Sequence, residues 1–111
     1  MAHNTSTNAW VYILQCYDGS YYTGSTTKFE SRISEHKSGK GSSYTASRLP
    51  VRLLWYYEFS TIWRAVKAER QIKGWSRAKK EALMRGDFSI LHELAQSKEM
   101  RERRKKRGND K

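Results

Sequence analysis

The chain has 111 residues, 37% of them apolar and 13% aromatic, which is enough for one modest core with much of the chain left in water. Its 22 lysines and arginines against 11 acids give a net charge of +11, an excess that favours a polyanionic partner such as DNA, RNA or an anionic surface. The single cysteine, Cys16, excludes an internal disulfide and a cysteine-built zinc site, and the sequence has no run long and apolar enough for a signal peptide or a membrane span. A cytoplasmic protein without membrane contact is expected, nucleoid-associated if bacterial.

In chain order, residues 1–9 read as a flexible polar lead-in. "WVYILQC" (Trp10–Cys16) is aromatic and β-branched and reads as a strand, with Cys16 a buried structural thiol, and "SYYTGS" (Ser20–Ser25) reads as its hairpin partner. The turn between them has two readings. A two-residue Asp18-Gly19 turn pairs Gln15 with Tyr22 and sends Tyr12 and Tyr22 to opposite faces. A three-residue Tyr17-Asp18-Gly19 loop pairs Leu14 with Tyr22 and sends both to one face. Thr27-x-x-Glu30 matches a capping box, so a helix is expected from Thr27 to near Gly39. "KSGKGSSYTASR" reads as a Gly/Ser loop closed by Pro50, and Val51–Phe59 reads as a third strand. Ser60 or Thr61 caps a second helix, Ser76 a third that stops at Gly86, and Asp87 a fourth. The folded domain is expected over 10–97. A basic tail follows over 98–111, whose Arg101–Arg107 run holds six basic residues and one acid.

This order specifies a small α/β (α+β) domain, a three-stranded antiparallel sheet flanked by helices. The expected core is Val11, Ile13, Leu14, Phe29, Ile33, Leu53, Trp55, Ile62, Val66 and Ile72. Polar residues interrupt two of its stripes. Phe29, Arg32, Ile33 and His36 share one face of the first helix, and Glu69 falls within the stripe Ile62, Ala65, Val66, Ile72 of the second. A charge placed there must either pair, as an Arg32–Glu69 salt bridge with His36 at the edge, or face a cleft.

Trp10-Val11-Tyr12, then Tyr22-Thr23-Gly24, then Arg32, His36 and Glu69, in that order, resemble the GIY-YIG nuclease domain. "DGSYYTGST", "HKSGKG", "RLPVRL" and "AERQIKGWSRAKKEAL" are similar to the small stand-alone bacterial members, and to the catalytic domain of Slx1-type structure-specific endonucleases. The likeness spans about Trp10 to Leu83. The first motif is Trp-Val-Tyr rather than Gly-Ile-Tyr, the second is Tyr-Thr-Gly, and the asparagine that many members carry downstream of the glutamate is absent between Glu69 and Met100.

The resemblance implies a metal-dependent DNA endonuclease, structure-selective and linked to repair or recombination, that hydrolyses phosphodiesters through Tyr12, Tyr22, Arg32, His36 and Glu69. The chemistry of these side chains suits those roles. A tyrosine activated by nearby cations serves as general base, either Tyr12 or Tyr22. Arg32 holds the phosphate with its planar fork, and His36 binds phosphate or assists proton transfer. Glu69 is the ligand for one Mg²⁺ or Mn²⁺, with water and phosphate oxygens completing the shell. Lys37, Lys40, Arg48, Lys73 and Arg77 are candidates for contacts to duplex or branched DNA. Tyr44 is placed either to stack on an unpaired base or as an ordinary loop tyrosine. The alternative function is a nucleic-acid-binding module with this fold and little or no cleavage.

Overall fold

In the computed structural model, which describes residues 8–95, the apolar run Ala9–Gln15 forms β1, the central strand of a three-stranded sheet. Tyr21–Thr26 (β2) and Arg52–Phe59 (β3) flank it in the order β2-β1-β3, both antiparallel to it. Side chains alternate between the faces of a strand. Both faces of β1 are covered, so Val11, Tyr12, Ile13 and Leu14 are all buried in succession. A register shift between Ile13 and Leu14 in the β1–β3 pairing keeps Leu53 beside Leu14 and Tyr56 beside Tyr12.

The hairpin is closed by the three-residue loop. The Cys16 N–H donates to the Ser20 carbonyl and the Gly19 N–H to the Cys16 carbonyl, each at 2.9 Å. Gly19 sits third in the loop with φ +85°, in the left-handed region where a side chain is strained. Leu14 therefore lies opposite Tyr22, and Tyr12 opposite Gly24. Both tyrosines point to one face of the sheet.

Phe29–Lys37 (α1) packs on that face, where Tyr12, Leu14, Cys16, Ile33 and Val51 form a buried cluster edged by Tyr22, Phe29 and Leu53. The helix starts later than the Thr27 capping box suggests, and no side chain caps it. β2 continues to Thr26, whose Oγ1 accepts from the Lys28 N–H at 2.9 Å, so Thr27 falls inside the turn rather than at the cap. The Gly/Ser segment is not all loop. Ser42 accepts from the Thr45 N–H and starts a single helical turn, Ser43–Ala46 (α2).

Thr61, not Ser60, caps Ile62–Lys73 (α3), accepting from the Arg64 N–H. This helix meets all three strands and buries Ala65, Ala68 and Ile72. The expectation that Ile62 belongs to the core fails: it is the first helical residue, 43% exposed, and burial begins one turn later at Ala65.

The chain divides into two compact units, the first ending at Gly74 and the second beginning at Trp75. In the second, Ser76 caps Arg77–Met84 (α4), and Asp87 accepts from the Ser89 and Ile90 N–H groups ahead of Phe88–Ala95 (α5). Lys79 and Glu93 bridge these two helices at 3.1 Å, and Leu83 and Leu94 are buried. The expected basic tail, 98–111, and most of the expected lead-in lie outside the described residues. Among the described residues no helix is long and apolar enough to cross a membrane.

Candidate active site

His36 is wholly buried on the inner face of α1, at the end of the stripe that begins with Phe29. Two hydroxyls hold it: Tyr12 Oη lies 2.7 Å from Nε2, and Thr45 Oγ1 lies 2.9 Å from Nδ1. The Tyr12 and Tyr22 rings lie against the imidazole, with centroids 5.5 and 5.1 Å away. Two glycines make room for this packing. A Cβ on Gly24 would overlap the Tyr12 hydroxyl and ring, and one on Gly41 would overlap the His36 imidazole. The glycine of the Tyr-Thr-Gly motif is thus required by close approach across the hairpin rather than by backbone conformation.

Burial governs the protonation of both groups. It pushes the Tyr12 phenol up to about 12, an effect that the nearby Arg32 guanidinium only partly reverses. Burial also lowers the His36 pKa, and the positive charge of Arg32 lowers it further. At neutral pH the pair is therefore a neutral phenol and a neutral imidazole.

Arg32 and Glu69 do not form the salt bridge that the sequence allows. Arg32 pairs with Glu35 one turn along its own helix at 3.1 Å. Glu69 accepts from the Ser25 hydroxyl of β2 through Oε1 at 2.5 Å, and Lys73 lies 2.8 Å from its Oε2. Local i,i+3 and i,i+4 geometry supplies each charge with a partner nearer than the other helix. Arg32 and Glu69 both act electrostatically on Tyr12 nonetheless, Arg32 lowering and Glu69 raising its pKa. Tyr12 and Tyr22 each contact His36, Arg32 lies within electrostatic range of Tyr12 and His36, and Glu69 within range of Tyr12.

The glutamate fits a hard divalent cation. Among the described residues no group of three or more His, Cys, Asp or Glu side chains surrounds a point, so Glu69 offers a single carboxylate, whose partners are the Ser25 hydroxyl and the Lys73 ammonium that a cation would replace. Mg²⁺ and Mn²⁺ suit such a site, because they keep several waters and take substrate phosphate oxygens as further ligands.

The outer candidates differ in their engagement. Lys37 and Lys40 are exposed at the end of α1 and in the loop after it. The Arg48 guanidinium lies 3.8 Å over the Tyr44 ring and is bonded to Asp18 of the hairpin loop at 3.1 Å. Tyr44 also stacks on Tyr22 at 5.9 Å, so its ring already carries two contacts. Lys73 is held by Glu69, and Arg77 by Glu81 at 3.2 Å.

Sequence reasoning missed Thr45 and Ser25, the hydroxyls that touch His36 and Glu69. A usable signal for the first is Ser42, an N-cap residue three positions before Thr45, which makes a helical turn from an otherwise loop-like segment. For Ser25 the signal is only its place after the Tyr-Thr-Gly motif.

The sequence model of the GIY-YIG catalytic domain matches residues 8–82. A UPF0213 protein of Halalkalibacterium halodurans is 48% identical over 77 residues, which cover 69% of this chain and 82% of that protein. One from Halobacterium salinarum is 47% identical over 73 residues, covering 66% and 95%. A solved protein from E. faecalis is similar at 38% identity with a TM-score of 0.50, covering 78% of this chain and 90% of the other.

Proposed function

The chain belongs to the GIY-YIG family, a nuclease family, and on that premise we propose that it is a metal-dependent endonuclease that hydrolyses phosphodiester bonds in DNA. The observation that carries this reading is the buried Tyr12–His36–Thr45 hydrogen-bonded core, with Tyr22 against it and with Arg32 and Glu69 within electrostatic range. Its substrates on this reading are branched, flapped or nicked DNA, and its role lies in repair or recombination.

Phosphodiester hydrolysis needs an activated water, neutralised phosphate charge and a stabilised leaving group. Tyr12 is 1% exposed and its phenol is pushed up to about 12, so it keeps its proton and acts as a fixed dipole. Tyr22 shares its sheet face, is only half-buried, and takes the role of accepting the proton of the attacking water. Arg32 sits at the margin of the apolar stripe and presents its guanidinium to the scissile phosphate. Glu69 holds the divalent cation, which when bound neutralises developing charge at the phosphate. Lys37 and Lys40 contact the flanking backbone.

The test is incubation of the purified chain with end-labelled branched, flapped and duplex DNA in the presence of Mg²⁺, Mn²⁺ or chelator. Metal-dependent nicking that favours the branched and flapped forms supports the proposal. Tight binding with no nicking under any condition replaces it with the binding-module reading.

A further inference from the structure

Thr45 comes from the short turn α2 and touches neither tyrosine in the hydrogen-bond pattern, yet its hydroxyl lies on the buried imidazole. We propose that Thr45 is a positioning residue: by accepting the Nδ1–H of His36 it fixes the tautomer whose bare Nε2 accepts the Tyr12 phenol proton.

In this buried site every donor needs an acceptor. Tyr12 Oη is buried, and its hydrogen bond among the described residues is to His36 Nε2. Of the other polar groups that act on it, Arg32 carries only donors, and neither Tyr22 nor Glu69 is hydrogen-bonded to it among the described residues. The phenol proton therefore has one acceptor, Nε2, and Nε2 can accept only if the imidazole proton is on Nδ1. Nδ1–H then needs an acceptor of its own, and Thr45 Oγ1 lies 2.9 Å away. Thr45 is also wholly buried, and Ser42 satisfies it, with the Ser42 carbonyl 3.4 Å and the Ser42 hydroxyl 3.0 Å from Oγ1. The result is a directed chain, Tyr12 O–H to Nε2, Nδ1–H to Thr45, Thr45 O–H to Ser42, in which each buried donor has an acceptor.

The opposite tautomer fails at a definite place. Nε2–H would then donate to Tyr12 Oη, and the phenol hydrogen would turn toward the guanidinium side, donor against donor. The chain thus sets which way Tyr12 points its lone pairs. With the proton committed to His36, they remain available to the Arg32 guanidinium, whose orientation the proposed chemistry needs. The sequence of contacts explains why Ser42 caps the turn at Thr45. The cap brings Thr45 to the imidazole and frees its hydroxyl proton for Ser42.

The structural part of this inference stands without the nuclease reading; its kinetic part rests on it. The test takes ¹⁵N-labelled protein and reads the His36 Nδ1 and Nε2 shifts at neutral pH by long-range ¹H–¹⁵N correlation. The expected wild-type result is a single Nδ1–H tautomer; an Nε2–H tautomer or an imidazolium overturns the proposal. Thr45→Val removes the acceptor at equal volume. The Nε2–H fraction should rise in this variant, and Thr45→Ser should restore the wild-type pattern. An unchanged tautomer in Thr45→Val means that Tyr12 alone sets it, and the proposal fails. On nicked substrate, kcat in Thr45→Val should fall by about 10- to 100-fold, as for other loosened histidine partners, with KM little changed and with recovery in Thr45→Ser. A chain that shows the expected tautomers but cuts no DNA under any condition keeps the positioning role and loses the nuclease reading.

Discussion

Gly24 and Tyr12 face each other across the hairpin, and the Tyr12 ring lies over the glycine so closely that a Cβ would overlap its hydroxyl and adjacent ring carbons. Gly24→Ala must therefore move the ring, which is packed edge-on to Phe29 and bonded to His36 at 2.7 Å. Overpacking of this kind costs about 1–3 kcal/mol, and breaking the buried hydrogen bond costs about 1–3 kcal/mol more, so about 2–6 kcal/mol is expected in all. For a domain of this size each 1 kcal/mol lowers Tm by about 4–8 °C. In a Tyr12→Leu background the obstructing atoms are gone, and alanine in a strand is favoured over glycine by about 0.5–1 kcal/mol. The second substitution should then cost nothing or stabilise. Thermal and urea melts of wild type, both single variants and the double variant close the cycle, with an expected coupling of at least about 2 kcal/mol. If Gly24→Ala is equally damaging with leucine at position 12, the glycine is not there for the tyrosine, and the packing of the site has been misread.

His36 is held neutral by burial and by Arg32, below its ordinary value of about 6.5. The unfolded chain takes up a proton that the folded one refuses, so its contribution to stability is full above about pH 6.5 and is lost as pH falls through the lower folded value. Urea midpoints measured from about pH 7.5 down to about pH 5 should fall, and the fall should be shallower in His36→Gln; equal slopes contradict the buried neutral imidazole. DNA affinity should weaken steeply with salt, each phosphate contact adding about −0.9 to the log–log slope on duplex. Deleting the chain after Met100, and with it the basic Arg101–Arg107 run, should make that slope shallower and leave nicking intact. Loss of nicking in a folded truncation would give the tail a role beyond electrostatics.

Much of the architecture could be read from the sequence because its signals are local. The three strands, the Ser76 and Asp87 caps and the stripe Phe29–Ile33–His36 depend on residues within a turn or two of each other. The site was legible only as an interruption of apolar periodicity. Which groups the interrupting residues meet is decided by tertiary packing. Arg32 and Glu69 each found a partner on their own helix, Glu35 and Lys73, before either found the other. The Thr27-x-x-Glu30 pattern misled because β2 runs on to Thr26 and uses up the residues a cap would need. Thr45 was hidden in a segment whose glycines and serines read as loop. One serine cap there outweighs composition, and the partner it presents, His36, lies nine residues earlier in the chain.

The claim that matters most is that Glu69 serves a metal rather than the fold. Its partners make the test clean. In Glu69→Gln the Ser25 hydroxyl can still donate to the amide oxygen, and what is lost is an i,i+4 pair with Lys73, whose side chain is 52% exposed. Such a pair contributes about 0.3–0.5 kcal/mol, so Tm should move by no more than about 2–4 °C. Nicking of flapped DNA in saturating Mg²⁺ or Mn²⁺ should nevertheless fall by about 100-fold or more, since the negative charge that holds the cation at the phosphate is gone. Nicking assays run beside melts on wild type and Glu69→Gln give the decision: folded and inactive is the expected result, whereas a variant that melts much earlier yet cuts normally in its folded fraction contradicts it.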